Sequence, residues 1–405
     1  MATQVALAAG EKVRALPERV TWDSYLLDVT VPGHRKTYFG GFKMCTQPHL
    51  VKTFTLKNGK TVTKYFPHEF VSENPQVDLW RNELKIRKRY GDVKKFYVGE
   101  VGCGQCIECR LQKSRDWANR CMIEAMHHDI EKCFFVTLTY ENSRLLSPSL
   151  VFDDVNNFVL RLRENQRYKF NLPHTFRYTL CGEYGDQFMR PHFHLLLFNY
   201  DSSKDSQEYL FTNPLGDILY KNPVMEKIWD HRGFITVGRL NWNTCAYVAR
   251  YVVKKLKGKD SVFYEENDLV APDLRMSNRP GIGLGYLTDF YDQLDFIESF
   301  IKDCGINEEG LHIFNDYISL PQSNGLTTHI PNYFVRKLEE AEALGMPLKI
   351  DLDAYKNWRH SLAEMKHDDM IGVLELDERD YFAAKEKSLE KQMIGQHRNF
   401  LVNLS

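Results

Sequence analysis

The sequence predicts an α+β protein, and three observations carry that prediction. Between residues 133 and 260, β-branched and aromatic runs alternate with helical patterns in the order strand, helix, strand, strand, helix, strand, helix. That order suits a split βαβ antiparallel sheet with helices packed on it. The run RPHFHLLLF (190–198) has a period of two, so His192, His194, Leu196 and Phe198 point one way and Phe193, Leu195 and Leu197 the other. A basic amphipathic pattern at 110–128 and a second at 243–259 supply helices to cover such a sheet.

Each element has its own signal. CFFVTLTY (133–140) is a strand by β-branched and aromatic content. Asp153 and Asp154 can cap a helix whose apolar face is Val155, Phe158, Val159 and Leu162. TFRYTLCGEYG (175–185) is a second strand ending in a turn with two glycines, and RPHFHLLLF is the third. A polar stretch and a helix around 215–230 lead to a fourth strand, GFITVGRL (233–240). NTCAYVARYVVKKLKGK (243–259) is a helix with an Asn/Thr N-cap and Lys in its last turn, stopped by Gly258. Upstream, residues 1–40 show little periodicity. A basic section follows, with Cys45, KIRKRYGDVKK (85–95) and CGQCIEC (103–109). Downstream, RMSNRPGIGLGYL (275–287) is a glycine-rich loop, and the remainder is mostly helical and acidic, as in EEAEALG (339–345) and LELDERD (374–380). The expected division is therefore 1–130, a Cys-containing N-terminal region; 131–260, the sheet domain; and 261–405, a mostly helical C-terminal region.

With 43% hydrophobic and 26% charged residues in 405, the composition is that of a soluble globular chain. No apolar run is long enough to cross a membrane, and the N-terminal MATQVALAAGEKVRALPERV lacks a charged leader, so no signal peptide is expected. The net charge of −1 gives no global argument for nucleic acid. Nine Cys without a secretion signal point to thiols or metal ligands rather than disulfides.

Three constellations can carry chemistry. Tyr247 and Tyr251 lie one helical turn apart on one face, continued by Lys254 and Lys255. Aromatic stripes at this spacing are usually packing, but ammonium groups beside phenols favour phenolate and attract phosphate. His192 and His194 supply two ligands on one strand face, either as core histidines or as half of a metal site. If 175–183 and 191–198 pair as a hairpin, Glu183 projects beside the imidazoles and completes a mixed N/O site suited to Mn²⁺ or Mg²⁺. Cys103, Cys106 and Cys109, with Cys45 as a fourth, can hold a structural Zn²⁺, although iron–sulfur ligation and plain thiols stay open. KIRKRYGDVKK and the basic helix offer a nucleic-acid surface with Tyr90, Phe96 or Trp117 for stacking, or simply a solvated face. The loop at 281–285 lacks the Lys-Ser/Thr of a phosphate-binding loop.

FFVTLTY, RPHFHLLLF and AYVARYVVKK, in that order, resemble the three motifs of the HUH endonucleases that initiate rolling-circle replication. The match is closer still to the replication initiators of small icosahedral single-stranded DNA phages (Microviridae, gokushovirus type). Those also resemble this chain at CGQCIECRLQKSRDWANRCM, CGEYG and MSNRPGIGLGY. The resemblance covers about residues 42–290. It implies an RRM-like sheet with Glu183, His192 and His194 as metal ligands and Tyr247 and Tyr251 as nucleophiles. Lys254 and Lys255 would neutralise the phosphate or help a phenol that otherwise titrates near ~10. The implied reaction is attack on single-stranded origin DNA, leaving a 5′-phosphotyrosine and a free 3′-hydroxyl, and its reversal to rejoin ends. The implied setting is the host bacterial cytoplasm, with a host helicase and DNA polymerase as partners. A transposase with the same chemistry, a metal-supported single-stranded DNA-binding module and a metallohydrolase using water are the competing readings. The order of motifs, histidines before tyrosines, argues against a relaxase.

Overall fold

The computed structural model describes residues 49–56, 61–66, 85, 87–89, 93–104, 106–170, 176–185, 188–213, 216–253, 259–308, 310–321, 325, 327–359 and 361–362. Three strands come first, β1 (His49–Leu56), β2 (Thr61–Phe66) and β3 (Val93–Val101), and form an antiparallel sheet of their own. The central part then runs α1 (Ile107–Met126), β4 (Phe134–Leu138), α2 (Phe152–Phe170), β5 (Arg177–Tyr184) and β6 (Pro191–Phe198). It continues through β7 (Glu208–Thr212), β8 (Ile218–Lys221), α3 (Pro223–Ile228), β9 (Ile235–Arg239) and α4 (Trp242–Val253). Next come α5 (Lys259–Glu266), β10 (Asp273–Met276) and α6 (Phe290–Glu298). Two short hairpins follow, β11 (Lys302–Ile306) with β12 (His312–Asn315) and β13 (Tyr317–Ser319) with β14 (Thr327–His329). The last elements are α7 (Asn332–Ala343) and a helical stretch at 352–359.

Seven strands form one antiparallel sheet in the order β10-β5-β6-β4-β9-β8-β7, with helices on both faces. The α+β class, with an RRM-like sheet under helices, is thus as expected. The period-two pattern of β6 divides the core. Phe193, Leu195 and Leu197 pack with Val155, Phe158 and Leu162 of α2 on one face. Leu196 and Phe198 pack with Met122 and Ile123 of α1 and Val248 of α4 on the other. A strand covered on both sides reads as a nearly continuous apolar run, which is why LLLF follows the histidines.

Some elements were not foreseen. The sheet extends through the β7–β8 hairpin, where the sequence suggested a polar stretch, and the helix expected around 215–230 is only the six-residue α3. β7 is exposed along its whole length, so no inward alternation marks it in the sequence. The turn is closed by Asn213 and Asp217, whose backbones and side chains exchange hydrogen bonds. The C-terminal region has its helices, but with two hairpins between them; Leu294, Phe314, Leu338 and Tyr355 join the core on the α1 face. Residues 1–40 and 374–380 lie outside the described residues.

Candidate active site

The site is built by strand register. β5 and β6 pair so that Glu183 stands opposite His192 and Cys181 opposite His194, while β4 sets Thr137 opposite His194. Residues directly opposite share a face, so the carboxylate, both imidazoles and the threonine hydroxyl meet on the α1/α4 side. The hairpin expectation for Glu183 therefore holds. α4 lies over this spot. Its start is fixed by a reciprocal cap, in which Thr244 N–H donates to Asn241 Oδ1 (2.9 Å) and Asn241 N–H donates to Thr244 Oγ1 (3.0 Å). Further along the helix, the Tyr247 hydroxyl donates to Glu183 Oε1 at 2.6 Å and sits 3.3 Å from His194 Nε2.

One carboxylate oxygen is thus the centre of the cluster. Glu183 Oε1 is 2.9 Å from His192 Nε2 and 2.7 Å from His194 Nε2. Each imidazole is held from behind. His192 Nδ1 donates to the Arg190 carbonyl (3.1 Å), which can only accept, so Nε2 turns its lone pair toward Glu183 when the ring is neutral. His194 Nδ1 meets Thr137 Oγ1 at 2.9 Å, and its ring stacks on Phe135 at 5.3 Å. Burial opposes the charge on Glu183, but hydrogen bonds from the two histidines more than offset it and hold the carboxyl below the ordinary range. Burial pulls His194 toward its neutral form, against the pull of Glu183. Burial first, and then the Glu183 charge, push the Tyr247 phenol well above its ordinary value.

A carboxylate oxygen and two imidazole nitrogens, all within 4.8 Å of one another, turn three acceptors toward one point. A divalent cation there relieves their mutual repulsion, so the donor set fits a metal.

The tyrosines are arranged differently from the sequence expectation. Ala246 and Val248 were to face the sheet and the phenols to lie opposite. In the structure every residue from 245 to 249 is buried between the sheet and α1, and Tyr247, only 5% exposed, is the one that reaches the strands. Its ring packs edge-on against His194 at 4.8 Å and Phe135 at 6.2 Å. Tyr251 lies one turn later in α4. Lys254, Lys255 and Cys45 lie outside the described residues. Two contributors were missed in the sequence, Thr137 and Phe135, both inside the FFVTLTY run. Only the β4–β6 register assigns them to His194.

A second cluster lies at the start of α1. The sulfurs of Cys103, Cys106 and Cys109 are within 4.8 Å of one another. The Cys106 amide donates to Cys103 Sγ at 3.2 Å, and Cys106 caps the helix whose positive dipole end favours thiolates. Three such sulfurs fit a soft cation with one position left for a further ligand.

The comparisons with known proteins agree with this picture. The family model for the replication-associated protein ORF2 matches residues 133–256, the span from β4 past the end of α4. Replication-associated protein ORF2 of Spiroplasma virus 4 is 30% identical over 257 residues, covering 62% of this chain and 72% of that protein. The chain belongs to the replication-associated proteins of small phages. This replication-associated protein is also 32% identical to replication-associated protein VP4 of Bdellovibrio phage phiMH2K over 194 residues, 47% of this chain and 58% of the other. Replication-associated protein ORF4 of Chlamydia phage 1 is 31% identical over 168 residues, 41% of either chain. No solved structure matches it. The resemblance to phage replication proteins is thereby borne out. Among the described residues of this replication-associated protein, no helix is long and apolar enough to cross a membrane.

Proposed function

We propose that this chain is the endonuclease that opens the replication origin of a small phage genome, cutting single-stranded DNA with a tyrosine. The observation that carries the reading is the Tyr247 hydroxyl resting 2.6 Å from Glu183 Oε1, at the focus of two imidazoles. Glu183, His192 and His194 would hold the cation, and two imidazole donors favour Mn²⁺ over Mg²⁺. A cation bound there supplies polarisation of a phosphoryl oxygen. The tyrosine oxygen attacks the scissile phosphorus and forms the new P–O bond. Its proton is held between Glu183 Oε1 and His194 Nε2, and the old P–O bond breaks to leave a 3′-hydroxyl once protonated. The bond energy stays in the 5′-phosphotyrosine, so reversal rejoins ends. Tyr251, one turn away, is the second nucleophile, and Lys254 and Lys255 offset the phosphate charge. Cys103, Cys106 and Cys109 hold a structural Zn²⁺, with Cys45 as fourth ligand. The work takes place in the host bacterial cytoplasm, where a host helicase opens the duplex and a host polymerase extends the 3′-hydroxyl.

The burial of Tyr247 favours one other reading, in which that phenol only positions Glu183 and water attacks the phosphate. One assay separates them. Labelled single-stranded origin DNA and Mn²⁺ give a denaturation-resistant protein–DNA adduct with the wild type and none with the Tyr247→Phe/Tyr251→Phe double variant. Cleavage by wild type without an adduct establishes water attack, and undiminished cleavage by the double variant removes the tyrosines from the reaction.

A further inference from the structure

The MSNRPGIGLGY segment takes no part in the reaction above, yet it is tightly fastened. Glu124 of α1, with no exposed surface, accepts from the amides of Gly283 (2.8 Å) and Gly285 (3.0 Å) through Oε2, and from Arg177 Nε (2.6 Å) through Oε1. Arg177 also donates to the Pro280 carbonyl at 2.7 Å, and Arg120 Nε to that of Ile282 at 3.0 Å. Gly285 has φ +56, and a β-carbon there would meet the His127 ring at 2.6 Å, so the loop can approach α1 this closely only as glycine.

What the loop encloses is a cavity of about 530 Å³. Arg163, Arg177 and Arg279 and the rings of Phe176, Tyr178 and Tyr286 line it, and no carboxylate among the described residues does. Glu124 matches the Arg177 charge. Arg163 and Arg279 have no ion pair among the described residues, and Arg163 Nε is buried without a hydrogen-bond partner. The Arg163 guanidinium lies 5.6 Å and 5.3 Å from the rings of Phe176 and Tyr178, and Tyr286 is 43% exposed. Two uncompensated guanidinium groups ask for an anion, and an open aromatic ring beside them offers a π-face. A nucleotide has both.

We propose that this cavity binds a nucleotide of the single-stranded DNA substrate, with a phosphate on Arg163 and Arg279 and a base on Tyr286. The proposal rests on the reading that single-stranded DNA is the substrate. Arg177 and Glu183 sit on the same face of β5, six residues apart, so the cavity lies about 20 Å from the triad. It is a subsite for a nucleotide flanking the scissile phosphate.

The test is fluorescence anisotropy of a labelled single-stranded origin oligonucleotide on the full chain, without added divalent metal so that nothing is cut. Arg279→Ala and Arg163→Gln are each expected to weaken binding about tenfold and to lower the salt slope by about one. Tyr286→Leu is expected to weaken it roughly tenfold with the salt slope unchanged. Melting curves check folding, and Arg279, on an exposed part of the loop, is the variant expected to melt like the wild type. Wild-type affinity in both arginine variants overturns the subsite while adduct formation still stands. An equal loss toward a duplex of the same length also overturns it, as generic charge. A wild type that does not bind single strands removes the subsite and the substrate reading together.

Discussion

Tyr247 and Thr137 show how single side chains set this site. The Tyr247 hydroxyl is buried and committed to a charged acceptor, Glu183. Its removal in Tyr247→Phe, without added metal, is expected to lower unfolding stability by about 1.5–3 kcal/mol, read by urea denaturation. Thr137→Val leaves the strand intact but frees His194 Nδ1, so the ring loses the contact that orients it. Mn²⁺ affinity measured by calorimetry is expected to drop at least about tenfold with the fold preserved. Retained affinity would mean that His194 is not a ligand. Glu183, His192 and His194 were legible because all three fall on one hairpin, where a period of two and a short turn decide who faces whom. Thr137 was not, because its role depends on pairing between β4 and β6, 57 residues apart along the chain.

Between elements, two buried carboxylates do opposite things. Glu124 joins α1, β5 and the 281–285 loop through four partners, Arg177, His128 and two amides. Glu124→Ala leaves the Arg177 guanidinium buried with its carbonyl contact alone, and is expected to cost about 3–5 kcal/mol in chemical denaturation. Glu339 of α7 is less well served. Burial raises its carboxyl to about 7, with Lys356 Nζ 3.7 Å away as the main opposing influence. A folded-state pKa above the unfolded one means that the stability it contributes is complete below about pH 4.5 and is lost as the pH rises through about 7. The loss is on the order of 3 kcal/mol. In Glu339→Gln the melting temperature is expected to change less between about pH 5 and about pH 8 than in the wild type. A wild-type pH profile in that variant would show that another group titrates. Helix amphipathicity had announced α1, α2 and α4, whereas the β7–β8 hairpin left no trace because an exposed edge strand carries no burial pattern.

For the molecule as a whole, the cation should couple to stability. At about a hundred times its dissociation constant, Mn²⁺ is expected to add roughly 2.7 kcal/mol to the wild type and nothing to Glu183→Gln, read by thermal shift. An equal shift in both would locate the bound metal elsewhere. The class of the fold was legible because its strands are apolar on both faces and its helices on one. The packing of the C-terminal hairpins against α1 was not, since short polar strands have weak local signals. One strand has a further effect. β5 ends in Glu183 and begins at Arg177, and a hydrogen-bonded strand in mid-sheet neither stretches nor bends easily. It behaves as a fixed ruler. The span from anchor to scissile bond would then be measured by protein backbone, so displacing the cut by one base would call for altered DNA rather than a shifted loop.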